Sequence, residues 1–154
     1  MSFSVFISYS TRDLAHASAL QASIASAGAQ PYLAEYSLVP GQPLSQEILA
    51  AIRGCDLFLL LWSDHARESE WVPQEIGVAR GGDKPILPVV LHPDIGLPGF
   101  IRDLKYLEVH KDPTAALQWL VQEVNTRVRK KESDRLVALG VLGAVVVLVA
   151  SLSE

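Results

Sequence analysis

CDLFLLLWS, residues 55–63, limits the possible folds more than any other stretch of this chain. From Leu57 to Trp62 it is apolar at every position. A strand with one wet face alternates apolar and polar residues, so an unbroken apolar run of this length requires cover on both faces. The usual cover is a layer of helices on each side of a parallel sheet. The rest of the chain should then alternate strands with helices, and it does.

FSVFISY (3–9) reads as the first strand. The helix TRDLAHASALQASIASAG (11–28) follows, with Leu14, Ala17, Leu20 and Ile24 on one face and Gly28 as its stop. Ser10 is placed to cap it, with Asp13 three residues on as a variant of the capping box. QPYLAEY (30–36) is a second strand, and Pro40-Gly41 fits the central pair of a type II turn. Pro43 suits the first turn of a helix running to about Gly54. After the apolar run, a helix from about Glu70 ends at Gly81-Gly82. KPILPVVL (84–91) is a fourth strand, in which Pro88 marks a bulge or a strand end. LKYLEVH (104–110) is a weaker fifth. A long helix starts at the Asp112-Pro113 cap and is free to continue into the C-terminal tail. The expectation is an α/β fold, a five-stranded parallel sheet with helices on both faces, whose ligands sit beyond the carboxyl ends of the strands.

Length and charge refine this picture. The 154 residues suffice for one domain with a real core. Cys55 is the sole cysteine, which excludes an intrachain disulfide and fits a reducing compartment. MSFSVFISYS lacks a basic region and a small-residue cleavage site, so no signal peptide is expected. Residues 1–126 carry 8 basic and 14 acidic side chains, a balance of -6. An acidic body argues against nucleic acid as partner, because phosphate binding needs clustered Lys and Arg. Residues 127–135, RVRKKESDR, carry 5 basic and 2 acidic, a balance of +3.

That basic segment precedes 17 uncharged residues from Leu136 to Leu152, apolar on every face. As a helix they would span roughly 25 Å, against a hydrocarbon core of about 30 Å. One reading is a transmembrane helix whose basic flank keeps the main domain on the cytoplasmic side, tethered to the membrane. The other is a buried or self-associating helix, for which Gly140 and Ala144 form a small-xxx-small pair. The organisation expected is a domain over 1–126, a basic helix over 127–135 and the apolar helix over 136–152.

FISYS at the end of the first strand, the Pro-Gly loop after the second, and Ser-x-Trp-x-x-x-Glu (Ser69, Trp71, Glu75) opening the helix after the third resemble the TIR (Toll/interleukin receptor) domain. The small, Ala-rich first helix is similar to the prokaryotic branch, and the resemblance spans roughly residues 2–126. It implies a flavodoxin-like sheet and an NAD glycohydrolase, or a relative that cyclises or transfers the ADP-ribose, with NAD as substrate and no cofactor. It also implies homo-oligomers built through TIR–TIR contacts, with the loop from Tyr36 to Leu44, including Pro40 and Gly41, docking onto a neighbour. Assembly-activated antiviral defence or cell-death signalling is the role this suggests. The competing implication is a scaffold that assembles without catalysis.

The chemistry fits SEWVPQE (69–75). Pro73 cannot lie deep in a helix, so Glu75 falls in or beside the first turn, where the helix dipole favours the anion. Cleaving the nicotinamide–ribose bond develops positive charge on the ribose. The leaving pyridine is already cationic and departs neutral, so the protonating acid of ordinary glycosidases is not required. One carboxylate that holds the ribose hydroxyls and stabilises the oxocarbenium is sufficient. Trp71 would wall the pocket. The duller readings are a solvated dipole partner for Glu75 and a core residue for Trp71. Ser10 is a helix cap on its plain reading. On the functional one, Tyr9, Ser10 and Thr11 line a turn whose backbone N–H groups meet a phosphate or ribose. Enzymatic relatives often carry basic or polar residues after the tyrosine; here those positions are Ser10 and Thr11, with Arg12 one place later.

Other classes find no footing. Neither GxGxxG nor GxxxxGK[ST] is present. His16, His65, His92 and His110 are scattered and show no zinc spacing. A phosphoacceptor receiver wants acids at the end of the first strand, where this chain has Ser8 and Ser10.

Overall fold

The computed structural model describes residues 2–34, 41 and 43–152, with side chains described as far as residue 140. Its elements are β1 (Ser4–Ser8), α1 (Leu14–Ser26), β2 (Gln30–Leu33), α2 (Gln46–Gly54), β3 (Leu57–Trp62), α3 (Asp64–Glu68), α4 (Val72–Gly81), β4 (Ile86–Val90), β5 (Leu107–Glu108) and α5 (Pro113–Leu152). The strands form one sheet in the order β2-β1-β3-β4-β5, every pair parallel.

β3 is buried throughout, and its pleat divides the core in two. Leu57, Leu59 and Leu61 face one cluster with Val5 and Ile7 of β1, Ala17, Leu20 and Ile24 of α1, and Leu120, Val124 and Val128 of α5. Phe58, Leu60 and Trp62 face the other, with Phe6, Ile48 and Ile52 of α2, and Val72, Ile76 and Ala79 of α4. Phe6 stacks on Phe58 at 5.4 Å between ring centres and on Tyr32 at 5.5 Å. Successive side chains alternate between faces, so the same short run holds both helical layers.

Several expectations change. α1 begins at Leu14, after a 3₁₀ turn over Thr11–Asp13. Leu14 is exposed, because at about 100° per residue it lies roughly 120° around the helix from Leu20. Ser10 Oγ accepts from Arg12 N, and Asp13 makes no capping bond. α2 starts beyond Pro43, at a cap from Ser45 Oγ to Ile48 N. α3 was not expected at all. Pro88 causes neither bulge nor strand end, since the β3–β4 register runs through it without a break. Its missing N–H is directed to the β5 side, where pairing begins only at Val89. β5 is two residues long. Gly28 does terminate α1, with a φ of +90° that a side chain would resist.

α5 starts where Asp112 Oδ1 accepts from Ala115 N, and continues unbroken to Leu152. It stays on the domain past residue 126: Val128 is buried, and Lys131 Nζ bonds both Asp56 oxygens and Ser2 O. The expected membrane span at 136–152 is not supported. Among the described residues no helix is long and apolar enough to cross a membrane, and from residue 141 its side chains lie outside them.

Candidate functional site

β1 is central to the sheet's topology. Its chain leaves through α1 to β2 on one side, while β3 lies on the other, so the strand order reverses at the β1–β3 boundary. The crevice at such a reversal, at the carboxyl ends of the strands, is where open α/β sheets bind ligands.

α4 delivers Glu75 to that edge. Ser69 Oγ accepts from Trp71 N and Val72 N, Pro73 sits at the helix start, and Glu75 N donates to Trp71 O at 3.0 Å. Glu75 is the fourth residue of the helix, yet its side chain turns inward and has 0% exposure. Ser8 Oγ, also at 0% exposure, donates to Glu75 Oε1 at 2.7 Å. A solvated dipole partner would not be buried, so that plain reading is excluded by position.

A second buried carboxyl lies five residues beyond the end of β1. Asp13 is 5% exposed, and its Oδ2 accepts from Ser63 Oγ, the residue after β3. Ser63 Oγ in turn accepts from Ala66 N and so caps α3. The loops after β1 and β3 are therefore joined by one serine–carboxyl pair, and β1 and α4 by another. Ser8, Asp13 and Ser63 were not singled out as site residues from sequence. The available signal was a polar residue closing each of two apolar strands, in FISYS and LLWS.

The other candidates are placed as follows. Tyr9 is buried against the α1–α5 cluster, and its hydroxyl donates to Ala34 O at 2.8 Å, tying β1 to the end of β2. Ser10 is buried and Thr11 exposed, two and three residues after Glu75's partner Ser8. Trp71 is half-buried against the α2–α4 cluster, the packing position of the plainer reading. Tyr36 and Pro40 lie outside the described residues. Gly41 has the φ of +81° that position i+2 of a type II turn needs, and its N–H donates to Glu70 Oε1 at 3.3 Å. That contact sets one point of the β2–α2 loop against the segment that opens α4.

Away from this edge, burial pushes the Cys55 thiol up, with Lys84 opposing. Among the described residues no group of three His, Cys, Asp or Glu side chains is placed to hold a metal ion.

A profile of the TIR domain matches residues 5–121, most of the chain. The chain belongs to the TIR domain family. Solved structures agree in fold. The TIR domain of the Toll-related receptor TRR-2 from Hydra magnipapillata superposes with a TM-score of 0.63 at 19% identity, over 78% of this chain and 96% of that one. A TIR-STING receptor from C. gigas, in complex with 2′,3′-cGAMP, gives 0.63 at 26% identity, over 79% of this chain and 39% of the receptor. The CMP N-glycosidase BcmB of Clostridium botulinum gives 0.58 at 20% identity, over 76% and 97%. No curated protein matches this TIR chain in sequence.

Proposed function

We propose that this TIR domain is an NAD glycohydrolase that cleaves the nicotinamide–ribose bond. One observation carries the reading: a glutamate with no exposed surface, in the first turn of α4, held by Ser8 at the carboxyl end of β1. A carboxylate in such a place is shielded from water, so its interaction with a developing oxocarbenium is stronger than at a surface. The residues Tyr9, Ser10 and Thr11 would meet the ribose or diphosphate, and Trp71 would border the nicotinamide. The same fold carries N-glycosidic chemistry in the Clostridium botulinum CMP N-glycosidase. The choice of NAD rests on the family resemblance of Ser-x-Trp-x-x-x-Glu.

Self-association through residues 36–44 belongs to the same proposal, since a subunit that closes its neighbour's crevice would switch turnover on. Incubating the chain with NAD and measuring free nicotinamide tests the activity, and sedimentation at rising concentration tests the assembly. Glu75→Gln should end turnover and leave assembly intact. A scaffold without catalysis is favoured by the exposed aromatics Phe100, Tyr106 and Trp119, which offer contact surface. It predicts assembly with no nicotinamide released.

A further inference from the structure

We infer that Ser8 is a positioning residue for Glu75, an inference that rests on the catalytic reading of that glutamate. Ser8 ends β1 two residues after Phe6, on the strand face that meets α2 and α4. The neighbours on that face are apolar: Phe6, Phe58, Leu60 and Ile76. A hydroxyl in such surroundings is unfavourable unless it is bonded, and this one bonds Glu75 Oε1 at 2.7 Å. Solvent reaches neither residue.

The start of α4 fixes the glutamate's backbone and leaves its side-chain torsions to be set by contacts. The last of these torsions is broad, and it decides which way the carboxyl plane faces. A donor on Oε1 restricts that plane. The bond also links β1 to α4 across 67 residues of sequence, so the acid is referenced to the rigid centre of the sheet and not only to its own helix. Reactions at a sugar carbon are sensitive to misplacement of about 1 Å, which can cost roughly 100-fold in rate. Satisfying a buried carboxyl for folding alone would affect stability; positioning it would affect kcat.

The test uses Ser8→Ala, Ser8→Thr and Ser8→Val in the full chain, with kcat and KM for nicotinamide release measured separately beside thermal melting. Ser8→Ala should lower kcat about 10- to 100-fold with KM within about twofold. The Thr and Val substitutions introduce side chains of the same shape that differ only by hydroxyl against methyl, so any crowding is common to both. Ser8→Thr should turn over at least about 10-fold faster than Ser8→Val. Equal kcat for those two, a loss that follows melting temperature, or a rise in KM at constant kcat would each overturn the inference. Glu75→Gln in parallel separates the two levels. If it retains turnover, or if the native chain releases no nicotinamide, the catalytic reading fails and takes the positioning role with it. If Glu75→Gln is inactive while Ser8→Val matches the native chain, the positioning role alone fails.

Discussion

Replacing Glu75 by Gln should separate activity from stability, and the structure sets the scale of each. Moving a carboxylate out of water costs several kcal/mol even after relaxation. Ser8's donation at 2.7 Å offsets about 1.5–3 kcal/mol of that, and the first turn of α4 about 0.3–1 kcal/mol, up to ~2 where partly buried. These contributions work against the desolvation cost, so the net effect of the charge on stability is smaller than either side alone. Glutamine keeps the volume, and its amide oxygen can still accept from Ser8, while the desolvation cost of a full charge disappears. The fold should therefore change by no more than about 1 kcal/mol, which for a chain of this size is a melting shift of roughly 2–4 °C in either direction. The reaction responds differently, since an amide cannot stabilise an oxocarbenium as an anion does. Loss of at least about 1,000-fold in kcat corresponds to ~4 kcal/mol of transition-state stabilisation. Nicotinamide release and differential scanning fluorimetry on the same preparation read both quantities. A melting temperature lowered by more than about 10 °C, with activity lost in proportion, would mean that Glu75 is there for the fold. Full turnover in the variant would refute the chemistry outright.

Three further outcomes follow from the packing. Burial would raise the Asp56 carboxyl, but hydrogen bonds from Lys131 and from Ser4 N, with the Lys131 charge, outweigh it and hold it below its ordinary 3.8. A folded value below the unfolded one gives stability that is present above about pH 4 and lost as pH falls through the lowered value. Lys131→Met should thus cost about 1 kcal/mol at neutral pH, discounted for the pair's partial exposure, and the cost should fade under acid, as urea midpoints against pH would show. Gly28→Ala should destabilise by about 1 kcal/mol through its φ of +90°, since the nearest atom, Val128 Cγ1 at 3.7 Å, leaves room for the methyl; unchanged stability would remove that account. Ser63→Ala removes both the donor to Asp13 and the cap of α3, and about 2–3 kcal/mol should be lost in chemical denaturation.

How much of this was legible in sequence depended on whether each feature is local. β3 is apolar at six successive positions, and its burial on both faces followed directly, as did the helices that cover it. Pro73 fixed the start of α4 and hence the turn that carries Glu75. α3 has five residues, too few to show a helical period, and it exists because Ser63 caps it between β3 and α4. β5 was overextended because LKYLEVH has strand-forming residues, whereas only Leu107 and Glu108 reach β4. Pro88 is tolerated for a reason that no local pattern contains, namely where the neighbouring strand begins.

The site residues divide in the same way. Ser10 and Asp13 have the spacing of a capping box, but that box presumes an α-helical turn. A 3₁₀ turn forms there instead, and Asp13, at its end, is buried and accepts from Ser63, 50 residues away. Ser8 and Glu75 are 67 apart, and neither predicts the other without the sheet order. Yet a sheet covered on both faces leaves little place for buried polar groups except its ends. Polar side chains that close two otherwise apolar strands must find partners there or be costly to bury. In this chain both do, each with a carboxyl brought in from another element. A serine closing an apolar run is therefore a stronger pointer to the carboxyl edge of a parallel sheet than the glutamate it binds. In the sequence the glutamate, at a helix start, has an ordinary explanation in the helix dipole, whereas a polar residue at the end of an apolar run calls for a partner from elsewhere in the fold.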